Sequence, residues 1–433
     1  MNSFILKGNI FYSLDPTHIE IVEGGYAVCI DGISAGVFRE FPNHLRFPLF
    51  DLGDWLILPG LIDLHTHAPQ YAFRGLGTDL ELLDWLNAHT FPEESLYKDL
   101  EYAEKAYRQF AAALKKSPNT RACIFSTIHV PATLILMDEL DRAGIAAMVG
   151  KVNMDRNSPD GLREESAAAS LEETRKWISA CQGKYRRIKP IITPRFIPTC
   201  SDELMAGLGA LMKEFSLPAQ SHLSENLEEQ QWVRELCPQS EFYGDAYDSF
   251  GVFGSRTIMA HCVWSDEKET ELIKNRGVYV AHCPQSNENL ASGIAPIRRY
   301  LDEGIHVGLG SDIAGGCHLS IFRAMTDAMQ ASNLRWRLLD ESLKPLTIEE
   351  AFYMGTKGGG EFFGKAGSLE QGYEFDAIAI DDSDIEAPRS LSALERLKRA
   401  VYCSNDMNIK AKFVAGVPLD GFFDINALKK GFA

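Results

Sequence analysis

The 433-residue chain exceeds what one compact core usually holds, which predicts two or three domains, or one barrel of about 250 residues or more with an appendage. With 43 basic against 60 acidic residues, its net charge of -17 repels phosphate backbones and anionic membrane surfaces. A nucleic-acid polymer and a membrane surface are therefore excluded as expected partners.

The nine cysteines are odd in number, scattered and never spaced as CxxC, so neither a disulfide framework nor a zinc ribbon is indicated. They read as buried thiols in a reducing compartment. The start, MNSFILKGNIFYSLD, lacks an apolar core of signal-peptide length, and no later segment approaches about 18 uncharged apolar residues. The expectation is a soluble cytoplasmic protein.

Short β-like runs separated by Gly and Asp (FILKGNIFYSL, IEIVEGGYAVCI, GISAGVFREF) fill the first 50 or so residues. From residue 58 brief apolar strands alternate with longer helical stretches. Strand candidates fall at 58–65, 122–128, 145–152, 189–196, 218–223, 256–262, 277–283 and 306–312, with helical text such as EESLYKDLEYAEKAYRQFAAALKK and SAAASLEETRKWISACQGK between them. Eight such βα units predict a TIM-type (β/α)8 barrel over residues 58–365. Strand-like text returns in GSLEQGYEFDAIAID and KAKFVAGVPL, so residues 1–57 and 366–433 are predicted to join as one small β-sandwich-like domain.

In LPGLIDLHTHAPQYAFRG, His65 and His67 are two residues apart and share one face of a strand. Alone, HxH is a weak signal. Its weight comes from His222 in QSHLSE, His261 in IMAHC, His282 in YVAHC and Asp312 in GLGSD, each closing a predicted strand and so facing the barrel mouth. Imidazoles with one carboxylate suit zinc, or iron(II), rather than calcium or magnesium. One ion held by His65, His67, His222 and Asp312 is expected, with His261 either orienting the water or acting as a ligand itself. A lysine-bridged pair of metals is disfavoured, because Lys189 sits at the wrong end of the fourth strand.

A metal-bound water becomes a nucleophile near neutral pH, and hydrolysis then needs a group that moves protons to the leaving group. Glu225, three residues after His222, is the candidate; elsewhere such a glutamate is commonly a first-turn carboxylate facing the helix dipole. Together, PGLIDLHTH, SHLSEN, AHC, AHCPQSN and GLGSDIAGG resemble the amidohydrolase superfamily, and its metal-dependent ring deaminases in particular. Within it, HAPQYAFRG, LELLDWLNAHTFPEE, TPRF and HLSENLEE look like the guanine deaminase family.

The resemblance implies hydrolysis of guanine to xanthine and ammonia, with Glu225, Asp312 and His261 catalytic. It also implies that Gln70, Arg195 and Phe196 hold the purine beside His222, and that the protein is a homodimer. Guanine offers a carbonyl and ring nitrogens, which a guanidinium and a carboxamide can meet while an aromatic ring stacks. Taken singly, Arg195 reads as a salt bridge, Gln70 as a loop cap and Phe196 as core. Ser286 and Asn287 are open between lining the site and forming a turn, and Met407 stands where the resemblance leads one to expect a basic residue. The stretch with Gly75 and Gly77 is expected to close over substrate. Two rivals remain: a deaminase of another ring, such as a pterin or triazine, and a metal-free scaffold.

Overall fold

The computed structural model describes residues 3–422 and 429–430. Strands β1 (Phe4–Asp15), β2 (His18–Ile30) and β3 (Ile33–Phe38) form an antiparallel meander, and β4 (Leu49–Pro59) runs parallel to β1. The two-residue connection Asp31–Gly32 has φ of 50° and 87°, the paired positive values that a type I′ hairpin turn requires.

After Gly60 the chain enters the barrel through β5 (Leu61–His67) and continues through β6 (Asn119–Phe125), β7 (Ala146–Gly150), β8 (Val152–Asn153), β9 (Ile188–Pro190) and β10 (Thr193–Pro194). Then follow β11 (Ala219–Leu223), β12 (Thr257–His261), β13 (Tyr279–His282) and β14 (His306–Leu309). All their pairings are parallel, in the orders β5-β6-β7-β9, β8-β10 and β11-β12-β13-β14. The bridge between Ile192 and Ala219 joins the two larger groups on one side. On the other, the Asp312 amide donates to the His65 carbonyl at 2.8 Å. Every residue of β5 and β6 is buried, as expected where helices cover a parallel sheet.

The eight predicted barrel strands are present, but the third and fourth are interrupted. Pro190 and Pro194 have no N–H to give a ladder, so the stretch predicted at 189–196 pairs in two pieces. The predicted helical run ending at Lys116 is also broken. Asp99 takes an extended conformation (φ -78°, ψ 114°) and its carboxylate accepts from the Glu101 and Tyr102 amides, starting a new helix at Leu100–Lys116. That helix buries Ala103, Tyr107, Phe110, Ala111 and Leu114, one face at helical spacing.

Strands β15 (Ala377–Ile380), β16 (Ile409–Val414), β17 (Val417–Pro418) and β18 (Lys429–Lys430) return to the first sheet, giving the order β17-β16-β15-β4-β1-β2-β3 with β18 on β4. Strands three places apart in a flat sheet lie about 14 Å from each other. Yet the rings of Phe4 on β1 and Phe413 on β16 are 5.0 Å apart, so this sheet curls over its own core. The sandwich-like expectation is thus corrected to one curled sheet built from both chain ends. On this pairing we propose the division 1–57 with 366–433 and 58–365; residues 423–428 and 431–433 lie outside the described residues. All nine cysteines are free, seven of them buried. Among the described residues, no helix is long and apolar enough to cross a membrane.

Candidate active site

The C-terminal ends of the barrel strands bring the predicted donors together. The Nε2 of His67 lies 3.2 Å from Nε2 of His65 and 3.2 Å from Nε2 of His222. The Oδ1 of Asp312 lies 3.2 Å from Nε2 of His65 and 3.5 Å from Nε2 of His67. Four ligands about 2.0–2.1 Å from a zinc-sized ion are separated by tetrahedral edges of about 3.3–3.4 Å. These four separations therefore come close to the edges of a four-coordinate metal site.

Local backbone explains the convergence. The β5 register slips between Asp63 and Thr66, a bulge-like irregularity that re-aims the following residues. Asp63 accepts from the Ser311 amide at 3.0 Å and the Ser311 hydroxyl at 2.6 Å, fastening β5 to the segment that carries Asp312. Gly310 lets the two backbones approach, since a Cβ there would lie 2.7 Å from Cys283 Sγ and 2.9 Å from His65 Cβ. Asp312 and His261 have φ of 43° and 74°, left-handed conformations that turn their side chains out of the strand direction.

The Nδ1–H of His222 donates to the Arg195 carbonyl at 2.7 Å, which leaves its Nε2 lone pair facing the cluster. Burial holds the His65 imidazole below the ordinary histidine range, and those of His67 and His222 well below it. Burial alone would raise Asp312, but the imidazoles around it, His65 first, hold its carboxyl well below the usual range. Neutral rings and an ionised carboxylate are the forms that bind a metal.

His261 lies beside this set, its Nε2 3.3 Å from Glu225 Oε2 and 3.7 Å from Asp312 Oδ2. Burial, then repulsion from Asp312, pushes Glu225 up to about 8. The Ser292 hydroxyl donates to Glu225 Oε1 at 3.1 Å, and the Glu225 amide donates to Glu229 Oε2 at 3.0 Å. Asn287, left open by the sequence, faces the site: its Oδ1 accepts from His261 Nδ1 at 2.9 Å. Ser286 is buried, and among the described residues its hydroxyl has no hydrogen-bond partner. His282 is also buried, pushed down to about 3 by burial and by His261, and is not among the groups whose donor atoms meet.

Gln70, Arg195, Phe196 and Glu225 line one cavity with His67, His222 and Asp312. Leu82, Trp85 and Leu86 also line it, from the segment whose Gly75 and Gly77 sit at positive φ. Met407 is 78 % exposed and lines no part of this cavity. Glu94 was not singled out from the sequence. It is fully buried and accepts from Gln70 Nε2 at 2.9 Å and from Arg195 Nη1 at 2.7 Å. Its signal lay in the block LELLDWLNAHTFPEE, where nothing distinguished it from the neighbouring Glu93.

Residues 56–419 match the amidohydrolase family. The guanine deaminase of Dictyostelium discoideum is 39% identical over 376 residues, spanning 85% of this chain and 83% of its own. That of Mus musculus is 38% identical over 392 residues, spanning 87% of this chain and 84% of its own. The crystal structure of guanine deaminase from C. acetobutylicum with bound guanine in the active site superposes with a TM-score of 0.94 at 45% identity, covering 96% of this chain and all of that one. The chain belongs to the amidohydrolase family, and within that family it is similar to guanine deaminases.

Proposed function

We propose that this protein hydrolyses guanine to xanthine and ammonia with one zinc ion held by His65, His67, His222 and Asp312. The observation that carries the reading is the shared cavity. Glu225, Gln70 and Arg195 line one cavity with the donors His67, His222 and Asp312, His65 lies 3.2 Å from both His67 and Asp312, and the chain is similar to guanine deaminases. The zinc assignment is supported by a donor set of three nitrogens and one carboxylate oxygen in which the His65–His67, His67–His222 and His65–Asp312 separations are close to a tetrahedral edge. Homodimeric assembly belongs to the same reading and comes from the resemblance alone, while a cytoplasmic setting rests on the cysteine pattern and the apolar patterning of the sequence.

A metal in this donor set supplies a water whose pKa falls to about 7. The chain's residues do the rest. Arg195 and Gln70 hold the purine edge, and Phe196 lies against the ring. Glu225, with its carboxyl still protonated near neutral pH, gives a proton to the ring nitrogen beside the amine-bearing carbon as the water oxygen bonds to that carbon. The carboxylate so formed takes one of the two water protons and delivers it to the amine, and the second water proton returns to Glu225 as the carbonyl forms. The carbon–nitrogen bond breaks, ammonia leaves, and the carbon keeps the oxygen as the new carbonyl of xanthine. His261 stands beside Glu225 and Asp312 to orient the attacking oxygen.

The test follows guanine absorbance and ammonia release by purified protein, before and after chelation and zinc restoration, with adenine, cytosine and a pterin for comparison. Guanine-selective turnover that zinc restores is expected. Turnover of another ring alone would overturn the substrate, and a protein with neither activity nor bound metal would overturn the enzyme.

A further inference from the structure

Glu94 is the carboxylate that touches both side chains assigned to the purine. It lies on the short helix Phe91–Ser95, and each of its oxygens is committed: Oε1 accepts from Gln70 and Oε2 from Arg195. The amide oxygen of Gln70 in turn accepts from the Ala314 amide at 3.0 Å. These two bonds fix which way the carboxamide points. A half-turn of the amide would set its NH2 against the Ala314 N–H and its oxygen against a carboxylate, losing both bonds to like-on-like contacts. The fixed orientation leaves Gln70 one N–H and one lone pair in set places.

Arg195 is held in the same way. It is buried, and among the described residues Glu94 is the acidic group that pairs with it. The Phe91 ring, from the same short helix, lies 5.3 Å from the centre of the guanidinium, and Tyr97 in the next turn donates to the Pro69 carbonyl beside Gln70. One segment thus fastens both donors from behind.

We propose that Glu94 is a positioning residue for substrate recognition: by holding Gln70 and Arg195 it sets the donor and acceptor pattern the purine meets, and so the fit to guanine. This rests on the proposed function and adds to it a carboxylate that need not touch the substrate.

The test compares metal-loaded wild type with Glu94→Gln, alone and in a Gln70→Ala background, reading kcat, KM for guanine and metal content. Glu94→Gln should keep its metal and raise KM about tenfold or more, the worth of a hydrogen bond to a charged group, while kcat falls by a smaller factor. In the Gln70→Ala background the added effect of Glu94→Gln should shrink, because no amide remains to be oriented. An unmoved KM, or the same rise in both backgrounds, would overturn the proposal. If Glu94→Gln does not accumulate as folded protein, Glu94→Asp reads the same point, since it keeps the charge but withdraws the carboxylate by one methylene. It should raise KM in the same way, and an unmoved KM there also overturns the role. Wild type inactive on guanine would overturn the proposed function itself; wild type active with an unmoved variant KM would overturn the positioning role alone.

Discussion

Glu225 and His261 face each other across 3.3 Å, and each is held on its far side: the Ser292 hydroxyl donates to Glu225 Oε1, and His261 Nδ1 donates to Asn287 Oδ1. Burial, then repulsion from Asp312, pushes the Glu225 carboxyl up to about 8. The result is an acid kept in hydrogen near neutral pH, as general acid catalysis requires.

Replacing Glu225 with Gln keeps the shape and hydrogen-bonding capacity of the side chain but removes the transferable proton. We expect kcat for guanine to fall about 10²- to 10⁴-fold with metal content unchanged. Steady-state kinetics beside metal analysis checks this, and a variant with full turnover would remove the shuttle from the mechanism.

Asn287 acts one step further out. Asn287→Ala takes away the acceptor that fixes the His261 tautomer, and partners of this kind cost about 10- to 100-fold when removed. The loss should appear in kcat. Because His261 is not one of the four assigned ligands, metal content should hold; loss of metal would instead make His261 a ligand.

The donor set was legible because its information is local. His65 and His67 announce themselves by strand period, and His222, His261 and Asp312 by ending apolar runs at βα spacing. His261 and His282 look identical in that reading, each inside an AHC triplet. What separates them is backbone: His261 has φ 74°, whereas His282 is not among the positive-φ residues and its ring does not join the cluster. Glu94 was illegible for a different reason. Its partners lie 24 and 101 residues away, and a glutamate in a helical stretch is ordinarily solvated. The curl of the first sheet was hidden likewise, since pairing β15 with β4 joins residues more than 300 positions apart, a choice that neither strand's own pattern encodes.

The lowered imidazoles give metal retention a sign. His65, His67 and His222 stay neutral below the ordinary histidine value of about 6.5, so they do not release a metal by protonation until the pH is below that value. Dialysis at stepped pH followed by metal analysis should place half-loss below about pH 6.5, and half-loss above it would contradict the shifts. Metal-free protein should also lose stability as pH falls through that range. The unfolded chain binds protons there that the folded rings refuse, so unfolding is favoured by acid.

Lys412 supplies a prediction about the fold. From β16 its ammonium donates to the carbonyls of Leu114, Lys115 and Ser117 at 3.1, 3.1 and 3.0 Å, at the C-terminal end of the helix Leu100–Lys116. A helix end leaves such carbonyls without intrahelical partners, although Leu114 also accepts from the Ser117 hydroxyl. Burial pulls Lys412 down to about 7, and the three carbonyls and the negative end of the helix dipole favour its charged form. A strand of the terminal sheet thus caps a helix of the barrel, with three donors matched to three acceptors. Lys412→Met keeps most of the side-chain volume and removes all three bonds. We expect it to destabilise the protein by about 2 kcal/mol, the scale of leaving the Lys115 and Ser117 carbonyls short of a partner while Leu114 keeps the Ser117 hydroxyl, with a lower Tm in thermal unfolding. The kcat of the protein that remains folded should match wild type, since Lys412 borders no part of the cavity around Glu225. An unchanged Tm would mean that water satisfies those carbonyls as well as the lysine does.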